Sequence, residues 1–335
     1  MYTNGGLNAF IPTAEKALQS NFSRNVKDYL LNSYTTVAKV DQPTFYDTYH
    51  SPSAESRISP SNLANHVWID GSMPQVNFAK QHNFNQHTCT RYQDSFTIGD
   101  VAQQTAKNNW DLITDHANSA ASNLMTIRTY NVLNTLINAS WGGNTATATS
   151  IGGGKWNVAG DPPANYIQIS IQAGYIKIQK GTNAVVNPQD LTLVVSPDLA
   201  TAMSQTTEIR NYLKSSPYSM NFLENKVSNG FAYGLPNNLY GVNVLVEPTV
   251  VNSSQLGIAD STSYILGSTN ALLLSRPGAV TGPLQTMSCS TLGLYEDMSI
   301  VMEHSTIGKL TNAVLSDYYV PIVRPQLGFL FTACQ

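Results

Sequence analysis

The stretch from Asp100 to Trp141 constrains the fold more than any other. Trp110, Ile113, Ala117, Ala120, Leu124 and Ile127 recur at three- and four-residue steps, so they share one face of a 3.6-period helix. Asp100 and Gln103 have the spacing of a capping box, and Gly142 with Gly143 supplies the stop. About forty residues at 1.5 Å each give roughly 60 Å. A compact chain of this length spans only roughly 50 Å. The expectation is an elongated or plate-like subunit with this helix as its spine, unless the polar run His116 to Ser119 breaks it.

Charged residues make up 12% of the 335, about half the usual share, so neutral polar groups must cover the surface. Such a surface suits contact with other protein. A net charge of -3 without any basic cluster argues against tight electrostatic binding of nucleic acid. Cys89, Cys289 and Cys334 are odd in number and far apart, which reads as free thiols in a reducing compartment. Residues Met1 to Phe10 lack the pattern of a signal peptide, and no window reaches eighteen apolar residues, so no membrane span is expected.

Upstream of the spine the chain reads as appendages. Ala14, Leu18, Phe22, Val26 and Tyr29 or Leu30 mark one face of a short helix from Pro12 to about Leu31, with no obvious partner. Asp41 to His66 holds seven apolar residues in twenty-six and is broken by Pro43, Pro52 and Pro60, the composition of an arm. Such an arm cannot offset about 1 to 2 kcal/mol of backbone entropy per residue without something to lie on. Trp68 to Lys80 and Gln86 to Ile98 read as two extended segments meeting at the polar tip Gln81 to Asn85, a long hairpin. Its polar outer half is marginal alone, so it is expected to pack on another subunit. The candidate inter-subunit contacts are Phe22 and Tyr46 in the arm and Phe78, Lys80, Phe84, Arg91 and Tyr92 in the hairpin.

Downstream, Trp141 to Gly160 is rich in Gly, Thr and Ala and reads as a flexible loop. Ile151 to Lys155 lacks the spacing of a phosphate-binding loop. Ile167, Ile169 and Ile171 alternate like a strand, while Ile167, Ile171, Tyr175 and Ile178 fit a helix; Asp161 with Pro162 and Pro163 favours the helix. Leu191 to Val195 is a short buried strand, followed by a helix that starts at Pro197. Val242 to Val246 is a strand stopped by Pro248. Tyr264 to Gly267 and Ala271 to Ser275 read as paired strands around a turn at Ser268 to Asn270. Ser299 to Phe331 is extended again. The class is α+β.

Four stretches carry a family resemblance: LTLVVSPDLATAM at Leu191 to Met203, YGLPNNLYGVNVLVEP at Tyr233 to Pro248, YILGSTNALLLSRPG at Tyr264 to Gly278, and NAVLSDYYVPIVRPQLGFLFTA at Asn312 to Ala333. Their order, after arm, hairpin and spine, makes the chain resemble a major capsid protein of tailed bacteriophages with the Hong Kong 97 type of fold. The resemblance implies an N-terminal arm at residues 1–65 and an extended β-hairpin loop at 66–98. It further implies a peripheral domain with the spine helix at 99–163 and 299–335, and an axial domain at 164–298. It implies self-assembly into pentamers and hexamers that form an icosahedral shell around double-stranded DNA, bound without sequence specificity. Scaffolding, portal and decoration proteins are the implied partners, and the place is the virion, assembled in the host cytoplasm. The alternative within the same fold is an encapsulin-like nanocompartment shell.

Catalytic readings find less support. His82, His87 and Cys89, with His66 nearby, are ligand types without a paired metal-binding spacing, and a solvated hairpin is the expected state. Glu296, Asp297, Glu303, His304 and Asp317 form an acidic cluster expected to be exposed or paired at an interface; Glu303 and His304 alternate across a strand and point apart. No G-x-S-x-G elbow supports a hydrolase. Asn21, Asn138 and Asn252 match the glycosylation pattern by chance in an Asn-rich chain. Some relatives join an extended-loop Lys to an Asn of an adjacent subunit, which by analogy points to Lys80 and Asn312 here. Neither cofactor nor metal is expected, and the role is structural rather than enzymatic.

Overall fold

The computed structural model describes residues 26–49, 83–106, 112–157, 165–182, 184, 186–214, 231–254, 259–276 and 288–335. Of the first helix, expected from Pro12 to about Leu31, residues 12–25 lie outside the described residues; its end is helical as α1 (Val26–Tyr34) and runs straight into β1 (Thr35–Lys39). Leu31 and Tyr34 are buried in the main core, and the Tyr34 hydroxyl donates to Glu247 at 3.1 Å. A partner for this helix therefore exists within the same chain, which corrects the expectation that it had none.

β2 (Thr44–Tyr49) pairs antiparallel with β3 (Asn83–Thr88), from Thr44 opposite Thr88 to Tyr49 opposite Asn83. The expected hairpin is thereby corrected. Asn83, Phe84 and Asn85 lie inside a strand rather than at a tip, and Gln86 to Thr88 pairs with Thr44 to Tyr46. The physical reason is that a polar run such as Asn83 to Thr88 is held by its backbone ladder, whose partner lies some forty residues upstream and leaves no local pattern. β4 (Thr90–Gly99) leaves this ribbon and joins a larger sheet. Trp68 to Lys80 lies outside the described residues.

α2 (Asp100–Ala106) and α3 (Leu112–Asn138) form the spine, with Trp110 and the rest of 107–111 outside the described residues. The run His116 to Ser119 does not break α3, whose 27 residues reach about 40 Å. Its buried stripe contains Ile113, Ala117, Ala120, Leu124, Val132 and Leu136, spaced as the sequence predicts; Ile127 lies half-buried at its flank. In the Gly-rich stretch that follows, β5 (Thr145–Thr147) and α4 (Ala148–Gly152) replace the expected loop. Trp156 is the cause: it is fully buried, stacks obliquely on Phe331 at 5.1 Å, and donates from Nε1 to Ser170 Oγ at 3.1 Å.

The ambiguous isoleucine run is helical, α5 (Tyr166–Gly181), burying Ile167, Ile171 and Ile178 and exposing Ile169 and Ile176. Then come β6 (Leu191–Val195), α6 (Pro197–Ser204) and α7 (Thr207–Lys214); Ser196 caps α6 by accepting from Leu199 N at 3.2 Å. β7 (Phe231–Ala232) and β8 (Leu235–Pro236) make a small ribbon, followed by β9 (Asn238–Leu239) and β10 (Val242–Val246). β11 (Val250–Asn252) pairs with β12 (Thr262–Tyr264), while β13 (Ala271–Ser275) goes elsewhere. The hairpin expected around Ser268 to Asn270 is thus corrected. All five residues of β13 are buried, so the strand needs neighbours on both edges and cover on both faces.

The last strands are β14 (Ser290–Ser305), β15 (Leu310–Val323) and β16 (Gly328–Thr332). One sheet has the order β1-β14-β15-β4, the other β5-β16-β13-β6-β10-β9. The boundary expected at residues 298/299 falls inside β14, and β16 joins the six-stranded sheet although β15 belongs to the four-stranded one. The main core runs from α3 residues Leu133 and Leu136 through Trp141 to the six-stranded sheet. A satellite core of Ala117, Ala120, Ala121, Leu124 and Leu315 fastens the first half of α3 to the four-stranded sheet.

Candidate assembly surfaces

The face of the four-stranded sheet that meets α3 is apolar. Tyr92, Phe96, Met298, Ile300 and Leu315 pack toward α3, while Arg91, Gln93, Ser95 and Thr97 alternate outward along β4. The outward face is tied by side-chain bonds across its strands: Arg91 Nη2 donates to Ser316 Oγ at 3.0 Å, Ser316 and Ser299 hydroxyls lie 3.0 Å apart, and Thr97 Oγ1 donates to Asn312 Oδ1 at 2.8 Å. These bonds hold Arg91, Thr97 and Asn312 in a fixed order at the surface, while Ser316 itself is buried. β1 pairs with β14 only as far as Leu294. From Ser299 to Ser305, β14 therefore has β15 on one side and, among the described residues, no strand on the other. An open edge of this kind is a template for another chain. Val301 on it is 62% exposed, and Ile307 in the turn beyond is 99% exposed.

The β2–β3 ribbon is the second surface. It forms a sheet of its own, and Tyr46 is 67% exposed on it. At its root Pro43 O accepts from Cys89 N at 2.8 Å, Phe45 lies 5.6 Å from the His87 ring, and Asp47 pairs with Arg324 at 2.5 Å.

Buried charge fixes the body that carries these surfaces. Arg128 donates from Nε and Nη2 to the two oxygens of Asp317 at 2.9 and 2.7 Å, and from Nη2 to Asp297 at 2.8 Å. A β-bulge between Leu294 and Ser299 sets Asp297 within that reach. Burial pushes the Asp317 carboxyl up while the bonds from Arg128 pull it down; burial also works against the Arg128 charge, yet the two carboxylates hold the guanidinium firmly protonated. The pair is ionic because Arg has no neutral form to retreat to. Glu208 accepts from Ile167 N, Gln168 N and the Tyr240 hydroxyl at 3.0, 2.8 and 2.8 Å, thereby capping α5. The helix is as expected, but its cap comes from Glu208; Asp161 to Pro163 lies outside the described residues.

Of the candidate contacts, Phe22, Phe78 and Lys80 lie outside the described residues. Tyr46 and Phe84 lie on the ribbon, Phe84 by its position in β3. Arg91 is exposed on β4, and Tyr92 is half-buried against Tyr319 with ring centroids 5.0 Å apart. Asn312 is exposed and stands opposite Glu303 in register; its candidate crosslinking partner Lys80 is not described. Glu303 is exposed while half-buried His304 turns inward, its Nδ1 3.8 Å from Asp100. The acidic cluster is corrected in one respect: Asp317 is neither exposed nor at an interface, because it is buried against Arg128. His66 and His82 lie outside the described residues. Among those described, no three metal-ligating side chains come together; Cys89 is buried with Sγ 3.8 Å from Gly293 O.

A family model described as phage capsid protein matches residues 90–288, more than half of the chain. The chain belongs to the phage capsid protein family. Three of the four stretches that carried the resemblance fall inside the match, and the fourth, from Asn312, lies beyond it. The capsid protein has the mixed α+β architecture of the Hong Kong 97 type. A phage-related protein from Bordetella bronchiseptica RB50 is similar in structure with a TM-score of 0.63 and 13% identity, over 96% of this chain and 97% of that one. The capsid structure of the cyanophage P-SCSP1u is similar at 0.54 and 13%, over 89% and 86%. The holo-SrpI encapsulin complex from Synechococcus elongatus is similar at 0.54 and 12%, over 92% and 88%. A comparison with curated protein sequences gives no match.

Proposed function

We propose that this capsid protein is a structural subunit that self-assembles as pentamers and hexamers into an icosahedral shell around double-stranded DNA. The observation that carries the reading is a family member whose β2–β3 ribbon, among the described residues, pairs only with itself and presents Tyr46 to solvent. A two-stranded ribbon is marginal in isolation, and a neighbouring copy can complete it. The open edge of β14 with Val301 supports contact between copies in the same way. In this proposal residues 1–65 contain the arm, and the extended loop expected at 66–98 is rooted in the β2–β3 ladder. The spine with the four-stranded sheet makes the peripheral domain (99–163 and 299–335). The six-stranded sheet makes the axial domain of 164–298, with β5 and β16 added to it. The charge of -3 and low charged fraction support containment of DNA rather than sequence-specific binding, in a virion assembled in the host cytoplasm. Scaffolding, portal and decoration proteins belong to the same reading, and the role is structural rather than enzymatic.

The full-length protein should yield closed particles tens of nanometres wide in electron micrographs. A chain that stays a stable monomer at every concentration and salt tried would overturn the reading. A cellular nanocompartment is the second reading, supported by the encapsulin neighbour, whose TM-score equals that of the cyanophage capsid. Particles that copurify with an enzyme cargo and hold no DNA would favour it.

A further inference from the structure

The ribbon meets the body at a root that contains one ion pair. Asp47 Oδ2 accepts from Arg324 Nη2 at 2.5 Å, and Arg324 Nη1 donates to Thr291 Oγ1 at 2.7 Å. The backbone N–H of Arg324 donates to Cys289 O at 2.8 Å. Thr291 belongs to β14, and Arg324 sits on the short link from β15 to β16. One guanidinium thus touches the ribbon and the four-stranded sheet, at the place where the chain crosses to the six-stranded sheet. Phe45 adds a steric contact, since a Cβ on Gly293 would lie 2.8 Å from its ring.

This root is less completely bonded than the Arg128 cluster. Arg324 Nε and His87 Nε2 are buried without a hydrogen-bond partner among the described residues, whereas two carboxylates grip Arg128. Unmet buried polar nitrogens raise the energy of an arrangement, so the root yields more readily than the Arg128 cluster does.

We infer that the Asp47–Arg324 pair is the latch that sets the direction of the ribbon, and that both are positioning residues for assembly between copies. The part concerning assembly rests on the shell reading above. Six residues of strand extend about 20 Å, so once Asp47, the fourth of them, is released, a tilt of about 15° about Thr44 moves the far end by about 5 Å, one strand spacing. An error of that size puts the ribbon out of register with any neighbour.

The test replaces Asp47 in the full chain and reads two quantities. In the unassembled subunit, Asp47→Asn should speed hydrogen exchange of the β2–β3 amides about tenfold and leave α3 amides unchanged. In assembled material it should lower particle yield and broaden the diameter distribution, and Asp47→Glu should restore both. Ribbon exchange equal to wild type, or α3 amides accelerating as much as the ribbon, would overturn the latch. Ribbon loosening of the expected size with particles of unchanged yield and diameter would overturn its role in assembly. If Asp47→Asn does not fold, Thr291→Val, which keeps both charges and removes one bond to Arg324, should loosen the ribbon about threefold; no change overturns the inference. A wild type that never assembles defeats the shell reading, while the exchange contrast still decides the latch.

Discussion

Asp317→Asn removes the buried half of the ion pair that fastens α3 to the four-stranded sheet. The side chains of Asp317, Arg128 and Asp297 are 0%, 6% and 63% exposed, so the substitution leaves a buried guanidinium facing one largely solvated carboxylate. Breaking a buried pair from one side costs about 3–5 kcal/mol, and the surviving contact to Asp297 places the cost near about 3 kcal/mol. An unfolding entropy of about 2.1 cal/mol/K per residue gives roughly 0.7 kcal/mol/K for this chain, so Tm falls by about 4 °C. Asp297→Asn breaks only the exposed contact and should cost at most about 1 kcal/mol, or little more than 1 °C. Calorimetry on the unassembled subunit is the assay, because assembly would shift the apparent stability by mass action. Arg128→Met combined with Asp317→Leu should recover most of the loss, since an apolar pair carries no desolvation cost. Equal shifts for Asp317→Asn and Asp297→Asn would refute the assignment of Asp317 as the structural partner.

Glu208→Ala leaves two backbone N–H groups and the Tyr240 hydroxyl without their acceptor, at about 1–3 kcal/mol each; urea unfolding should show a loss of at least about 3 kcal/mol. Burial holds the His87 imidazole below its ordinary value, with Asp47 pulling it up and Arg324 pushing it down. The unfolded chain therefore takes up the extra proton first, and stability is lost as pH falls below about 6.5. His87→Gln should flatten the thermal midpoint between pH 7 and 5; an unchanged slope would count against a buried neutral imidazole. Burial pushes the Cys289 thiol well up and that of Cys334 up to about 12, and Cys89 is raised as well. At pH 8 a thiol reagent should leave the native subunit unlabelled and modify three cysteines after denaturation.

What could be read from the sequence was local. The α3 stripe, the Ser196 cap with Pro197, and strands β6, β10 and β15 all follow from spacing or from residues next to one another. The β2–β3 ladder, the Glu208 cap on α5 and the central place of β13 depend on partners that lie roughly forty or more residues away, and no periodicity encodes them. Trp156 did carry a signal: a large aromatic in a Gly-rich run has to be buried somewhere, and it orders β5 and α4 around it. So did the buried ion pair. Arg128 stands on an apolar helix stripe between Leu124 and Val132, and Asp317 on an apolar strand face between Leu315 and Tyr319. One cation and one anion, each in the middle of a core-facing stripe, can be tolerated only if they meet.

The two arginine clusters differ in how completely they are bonded. At Arg128 the spine and the four-stranded sheet are joined by a bidentate pair, a second carboxylate and the satellite core, so the two move together. At Arg324 the ribbon is joined by the Asp47 ion pair and the Phe45 ring contact, and Arg324 Nε and His87 Nε2 have no partner among the described residues. In the shell proposed above, pentamers and hexamers would present a neighbour at different angles, so the weaker joint is the one that assembly would load. A body that bent would lose the curvature of the whole, and a ribbon free to turn at its root would lose register with its neighbour. If Asp47 and Arg324 set the direction of the ribbon, variants that strengthen the root should narrow the range of particle sizes, as Asp47→Asn should broaden it; an unchanged diameter distribution in both would refute the link between root and shell.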